Sequence, residues 1–225
     1  MNGNSLHGPI ERQRWPERLR AHVVEPGPDP RLHGFDVQAD LARHYSALDV
    51  SFIALTGDAP SSEVSRALEV ALTFAAPVSI ATAPAHAASL AQICGSRIAG
   101  VVGVAAVALA EQARAMLDEH DAVLARLVMG SLNGMASLYA ARDDAERDAV
   151  QRLRNALGHF CVRVPSLGYD LRLDTAIIAV LLACGLRTRD QIEVVLTQAR
   201  LAVACAEAFA WTPGDLRAYP MDLPS

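Results

Sequence analysis

One carboxylate stands at the head of the most apolar stretch of the chain. Leu173 to Leu186 reads LDTAIIAVLLACGL, with Asp174 second and no charged residue from Thr175 to Cys184. A helix with no polar face belongs inside a core. Gly185 suits the left-handed position just past its end, where Leu186 can fold back on the last turn. Asp174 can be an N-cap, its carboxylate accepting the free N–H groups of the first turn. It can also be a proton-transferring carboxylate at the edge of a dry core. Both roles are open on this stretch alone. The donors that such chemistry needs have three candidates: His86 in the segment APAHA, Arg114 with its fixed fork of N–H groups, and the Tyr169 phenol. Each also has an ordinary reading. An arginine on a polar helix side is solvated, a tyrosine beside glycine packs in a loop, and a histidine among alanines is a satisfied core residue.

The elements that must position these groups come from a chain of 225 residues, 52% hydrophobic, enough for one large core. A net charge of −5 leaves no electrostatic footprint for nucleic acid or an anionic membrane. All twenty basic residues are arginine, which excludes Schiff-base chemistry and a P-loop lysine. Cys94, Cys161, Cys184 and Cys205 lack metal-ligand spacing and read as reduced core residues, so no metal is expected. The first residues contain no apolar signal core, and the longest apolar run, Ile98 to Ala110, is too short to span a bilayer. A cytoplasmic protein is the expectation.

The pattern is all-α. After a polar tail (1–14), a strand over Leu19 to Val24 and a Pro-rich turn into Arg31-Leu32-His33 would form at most one short hairpin. Asp36 should cap a helix reaching Tyr45, and a short helix should span Asp49 to Leu55. Ser61 or Ser62 should cap the next. There Val64, Ala67, Leu68, Ala71, Leu72 and Ala75 fall at i, i+3, i+4, i+7, i+8 and i+11. Pro84 should open a helix that Gly95 stops, and Ser96 should cap a long one from Arg97 to about Asp118. Gly100 and Gly103 leave it little bulk, which suits tight helix packing and a dimer contact. Val123 to Leu132 and Ala145 to Leu157 read as amphipathic helices. Thr188 and Gln191 have capping-box spacing for a last helix ending near Phe209.

Several stretches, in this order, resemble the citrate synthase and citryl-CoA lyase family. Arg31-Leu32-His33-Gly34-Phe35-Asp36-Val37 is similar to its opening "R-x-x-G-Y-D-hydrophobic" segment. VSFIALTGDAP (50–60) is similar to "x-x-x-L-L-x-G-x-L-P". Ala85 to Ala115 resembles its paired small-residue helices, and Leu173 to Gly185 its "N-V-D" helix. The resemblance covers Trp15 to the C-terminus. It implies a helical domain over 15–225, like that family's large domain, with a reduced small lobe at about 119–166.

It also implies the chemistry. In that family an aspartate removes an α-proton from an acyl-CoA, one histidine stabilises the enolate, and a second polarises an oxo-acid carbonyl. Asp174 falls at the aspartate position. The family's His-Gly-Gly loop falls near Glu111-Gln112-Ala113-Arg114, which has no histidine, and Tyr169 falls where the second histidine stands. His86, Tyr169 and Arg114 become the candidate replacements, with Arg200 and Arg217 as further substrate-binding arginines. The CoA thioester is then a substrate, with an oxo-acid as its partner, and no cofactor is required. The assembly implied is a homodimer, or a hetero-oligomer with a full-length relative. The alternative is an inactive homologue that binds CoA or regulates such a relative.

Overall fold

The computed structural model describes residues 21–121, 124, 139–159 and 171–212. They fall into two compact units, the first ending at Ser46 and the second beginning at Ala47. The tail boundary expected at residue 14 lies outside the described residues.

The first unit holds a three-stranded antiparallel sheet of β1 (Val24–Glu25), β2 (Arg31–Leu32) and β3 (Phe35–Asp36), in that order. Val24 pairs with Leu32, and Leu32 with Phe35. The sequence suggested one hairpin. The third strand arises because His33 and Gly34 both take positive φ (49° and 86°), the two-residue turn that matches strand twist. Asp36 then caps a π-helical turn, Val37–Leu41, its Oδ1 accepting from Gln38 N at 2.9 Å and Ala39 N at 2.6 Å. The short α1 (Ala42–His44) follows, and Tyr45 ends it in extended backbone.

The second unit is helical: α2 (Ala47–Thr56), α3 (Ser62–Ala75), α4 (Ala83–Ile93), α5 (Ile98–Glu119), α6 (Asp144–His159), α7 (Leu173–Ala183) and α8 (Arg189–Phe209). The local signals act as their chemistry requires. Ser61 caps α3, Pro84 sits in the first turn of α4, and Thr188 with Gln191 forms a complete capping box on α8. Ser96 does not cap α5; the N-cap is Arg97, which makes no side-chain cap bond. At the end of α7, Gly185 has φ 101°. Its N–H bonds to Leu182 O at 3.0 Å, and Leu186 N–H to Leu181 O at 3.3 Å, so both orphan carbonyls are satisfied.

The helices share two apolar clusters. Around α7, every residue from Thr175 to Leu181 is buried, against Ala67, Leu68, Ala71 and Leu72 of α3 and Val150, Leu153 and Leu157 of α6. The second cluster joins α4, α5 and α8 through Ala85, Ala88, Val101, Ala105, Leu109, Ala204 and Ala208. The two long helices reach both, because Ala113 and Leu117 of α5, and Ile192 and Val195 of α8, belong to the first cluster. That strut role fixes the last turn of α5 beside α7. The region sketched as a reduced lobe is described only in part, and its helix α6 contributes to the same core as α7. The helix expected over Val123 to Leu132 lies outside the described residues apart from Leu124.

The packed side of α5 is Val101, Ala105, Leu109, Ala113 and Leu117, not its glycines. A Cβ on Gly103 would meet nothing within 4 Å, so no other backbone among the described residues approaches there. With 22 residues, α5 is long and apolar enough to cross a membrane by length and composition, where the apolar run alone had looked too short. Leu181 is wholly buried among α7's neighbours. Leu181→Ala is expected to cost about 2–5 kcal/mol, read from the denaturant midpoint at constant m-value.

Candidate active site

The backbone turns into α7 at Arg172, which is the N-cap (φ −60°, ψ 149°) and makes no side-chain cap bond. Asp174 is therefore not the N-cap that its sequence position suggested; it lies inside the first turn. Its carboxylate still serves that turn. Oδ1 accepts from Thr175 N at 2.7 Å and Thr175 Oγ1 at 3.3 Å, where the helix N-terminus favours negative charge. Oδ2 accepts from Arg172 Nη2. The Asp174 side chain is 22% exposed, so it is not sealed in the core.

Behind it lies a residue that motif position did not find. His120 directly follows α5, is fully buried, and stands 3.6 Å from Asp174 Oδ1 through Nε2. At that distance the two do not hydrogen-bond directly. Thr175 Oγ1, also buried, sits between them, 2.8 Å from Nε2. His120 Nδ1 lies 2.6 Å from the Met116 carbonyl, which can only accept, so Nδ1 carries a proton and Nε2 faces Thr175. An aspartate, a hydroxyl and an imidazole thus form a chain along which a proton can move. Helical phase is the signal that would have revealed it. The buried stripe 101, 105, 109, 113, 117 continues at 120, so a histidine there must point inward.

Flanking contacts fix this geometry. An antiparallel bridge pairs Ala140 with Leu171, and Arg172 N–H donates to Tyr139 O at 2.9 Å. That pairing brings the Tyr139 ring to 5.5 Å from the His120 ring and its hydroxyl to Glu119 O at 3.2 Å. Glu146 of α6 accepts from Leu173 N at 3.3 Å through Oε1. Arg189, at the start of α8, pairs with Asp118 and Asp121 on either side of Glu119 and His120. Burial pushes the Asp174 carboxyl up, but His120 and Arg172 outweigh it and hold it at about 2.

Three of the remaining candidates stand elsewhere. His86 belongs to α4, which packs on α5 and α8, whereas α7 packs on α3 and α6. Arg114 is exposed and pairs with Glu111 at 3.2 Å. Arg200 is half-buried: Nε donates to the Ala75 carbonyl at 2.9 Å and Nη1 to Gln112 Oε1 at 3.1 Å. It thereby caps the negative end of α3, while burial pulls its pKa down. Tyr169 and Arg217 lie outside the described residues.

The carboxyl's drop from 3.8 to about 2 is worth about 2 kcal/mol. A lowered folded-state pKa adds stability that is full above the unfolded value and lost as pH falls through the folded one. Wild-type unfolding free energy should therefore fall between pH about 4 and about 2, and Asp174→Asn should flatten that part of the profile. Parallel denaturation curves for the two proteins would refute the assignment.

By sequence, no family model and no curated protein matches the chain. By structure it is similar to citryl-CoA lyase from Hydrogenobacter thermophilus, with a TM-score of 0.63 and 16% identity over 92% of this chain and 97% of that one. It is also similar to a mutant Methanosaeta concilii ATP citrate lyase in complex with (3S)-citryl-CoA (TM-score 0.60, 12% identity). A third similar structure is ATP citrate lyase from Methanothrix soehngenii in complex with citrate and coenzyme A (TM-score 0.58, 12% identity). Each ATP citrate lyase match covers 95% of this chain but 43% of the larger protein. At these identities the likeness is one of fold: the chain has a citryl-CoA lyase-like helical architecture.

Proposed function

We propose that the chain acts on acyl-CoA thioesters, breaking or forming a C–C bond between the acyl α-carbon and an oxo-acid carbonyl, with Asp174 as the proton carrier. The observation that carries this reading is the part-exposed Asp174 carboxylate at the mouth of a buried helix, backed by Thr175 and the buried His120. The shared architecture with citryl-CoA lyase supports it. In condensation, Asp174 takes the α-proton, the enolate carbon attacks the oxo-acid carbonyl, and the resulting alkoxide takes that proton back from Asp174 to become a hydroxyl. In cleavage Asp174 takes the hydroxyl proton, the C–C pair passes to the thioester enolate, and the protonated Asp174 returns that proton to the α-carbon.

His120 has no exposed surface, so it acts on Asp174 through Thr175 and does not touch the substrate. The group that meets the thioester oxygen must come from another part of the chain, and Tyr169 is the proposed donor, with Arg114, His86, Arg200 and Arg217 weaker choices. The inactive-homologue alternative rested on the two missing family histidines and the reduced lobe; His120 is wholly buried behind Asp174 and takes neither histidine's place, so the exchange experiment below decides between the two readings. We further propose a homodimer through the outward face of α5, where Ile98 and Val107 are 68% exposed and Val104 is 41% exposed.

Solvent-deuterium exchange at the α-carbon of acetyl-CoA or a carboxylated acyl-CoA tests the base. Asp174→Asn should slow it by about 10²–10⁴-fold; unchanged exchange would overturn the assignment, and no thioester binding by the wild type would leave the inactive homologue. Sedimentation should show a dimer that Val104→Glu with Val107→Glu dissociates.

A further inference from the structure

The closest contact to the Asp174 carboxylate comes from two residues away, where Arg172 Nη2 donates to Oδ2. Arg172 is nine-tenths buried, and its guanidinium lies among three carboxylates: Asp174, Glu119 at the end of α5, and Glu146 of α6. An arginine built only to hold Asp174 would present both donors of one edge, Nε and Nη2, to the two carboxylate oxygens. Arg172 instead gives Asp174 a single Nη2, and its buried Nε has no partner among the described residues. Both Nη1 and Nη2 lie 3.5 Å from the same Glu119 oxygen, at the outer limit of a hydrogen bond. The guanidinium therefore has one close station and a second, loosely filled one about 0.7 Å beyond a charge-assisted distance.

We propose that Arg172 is a latch on the candidate base, paired with Asp174 at rest and passing to Glu119 when Asp174 takes part in proton transfer. This rests on the reading of Asp174 as the base. The physical case is one of conserved pairing. A buried guanidinium that simply left Asp174 would lose its closest counter-charge, which is strongly unfavourable for a buried cation. One that moves to Glu119 stays paired throughout. Oδ2 then loses its donor, while Oδ1 keeps Thr175 and, behind it, His120. The charged and titratable groups that face Asp174 are His120 and Arg172, and Arg172 in turn faces Glu119 and Glu146. Arg172 is a positioning residue in this scheme, since it acts through Asp174. Glu119 suits the second station because its side chain is 63% exposed and can adjust to meet the guanidinium.

Two measurements test this. In a crystal structure of Asp174→Asn, Arg172 should close on Glu119 to a charge-assisted distance of about 2.8 Å; a guanidinium still 3.5 Å from Glu119 would overturn the latch without bearing on whether Asp174 is the base. In kinetics, Glu119→Gln should lower kcat about tenfold with KM unchanged. That loss should vanish in the Arg172→Gln background, where there is no guanidinium to receive. An equal loss in both backgrounds, or none in either, rejects the proposal. Wild-type and Asp174→Asn exchange rates are measured alongside. If they match, the base reading fails by itself, and the crystallographic distance still reports on Arg172.

Discussion

The second unit is organised around the burial of one helix on all sides. Thr175 to Leu181 lie in the core with no solvent-facing residue, so α3, α6 and parts of α5 and α8 must close around them. Such a helix exposes polar groups only at its ends. At the C-terminal end the carbonyls are taken up by Gly185 and Leu186. At the N-terminal end the first turn meets Asp174, Thr175 and the Arg172 guanidinium. The polar chemistry of the molecule gathers there because the core permits it almost nowhere else. Of the five polar side chains buried among the described residues, three, His120, Arg172 and Thr175, belong to this one cluster.

Geometry at that end depends on a long-range match. The buried stripe of α5 spans both apolar clusters, so its length and phase decide which residue arrives beside α7. Leu117 packs in the core, and one turn later the helix stops at His120, whose amide N–H returns to Leu117 O at 3.1 Å. The Arg189 pairs with Asp118 and Asp121 are exposed, so each adds little energy. Their use is positional, since they tie the first residue of α8 to the residues flanking His120.

Most of the helical frame was legible from local chemistry. The α3 stripe, the Ser61 cap, the Thr188–Gln191 box and Gly185 after α7 all stand where propensity and spacing put them, because each is decided within a few residues. What was not legible depends on contacts far apart in the chain. Asp174 looked like a cap, but the cap position is set by where backbone dihedrals turn helical, and that happens at Arg172. His120 was not legible because the family motif falls near Glu111 to Arg114, whereas it is helical phase that carries residue 120 inward. Arg200, a substrate arginine by analogy, has a guanidinium occupied by the end of α3 and by Gln112. The third strand needed a positive φ at His33, which a non-glycine residue seldom advertises.

The same contacts that make Asp174 stable make it a weak base, and this tension bears on how such a site can work. Arg172 and His120 lower the energy of the ionised carboxylate, so the group is charged and ready at any ordinary pH. They also remove proton affinity, by about 2 kcal/mol for the shift from 3.8 to about 2. An enzyme gains nothing from stabilising a base in the ground state unless that stabilisation falls as the proton transfers. Release of one donor at that moment converts a resting ion pair into proton affinity. A mobile cation with a second carboxylate in reach can do this while remaining paired. A fixed neutral donor such as the Thr175 N–H cannot, because it leads the first turn of a buried helix.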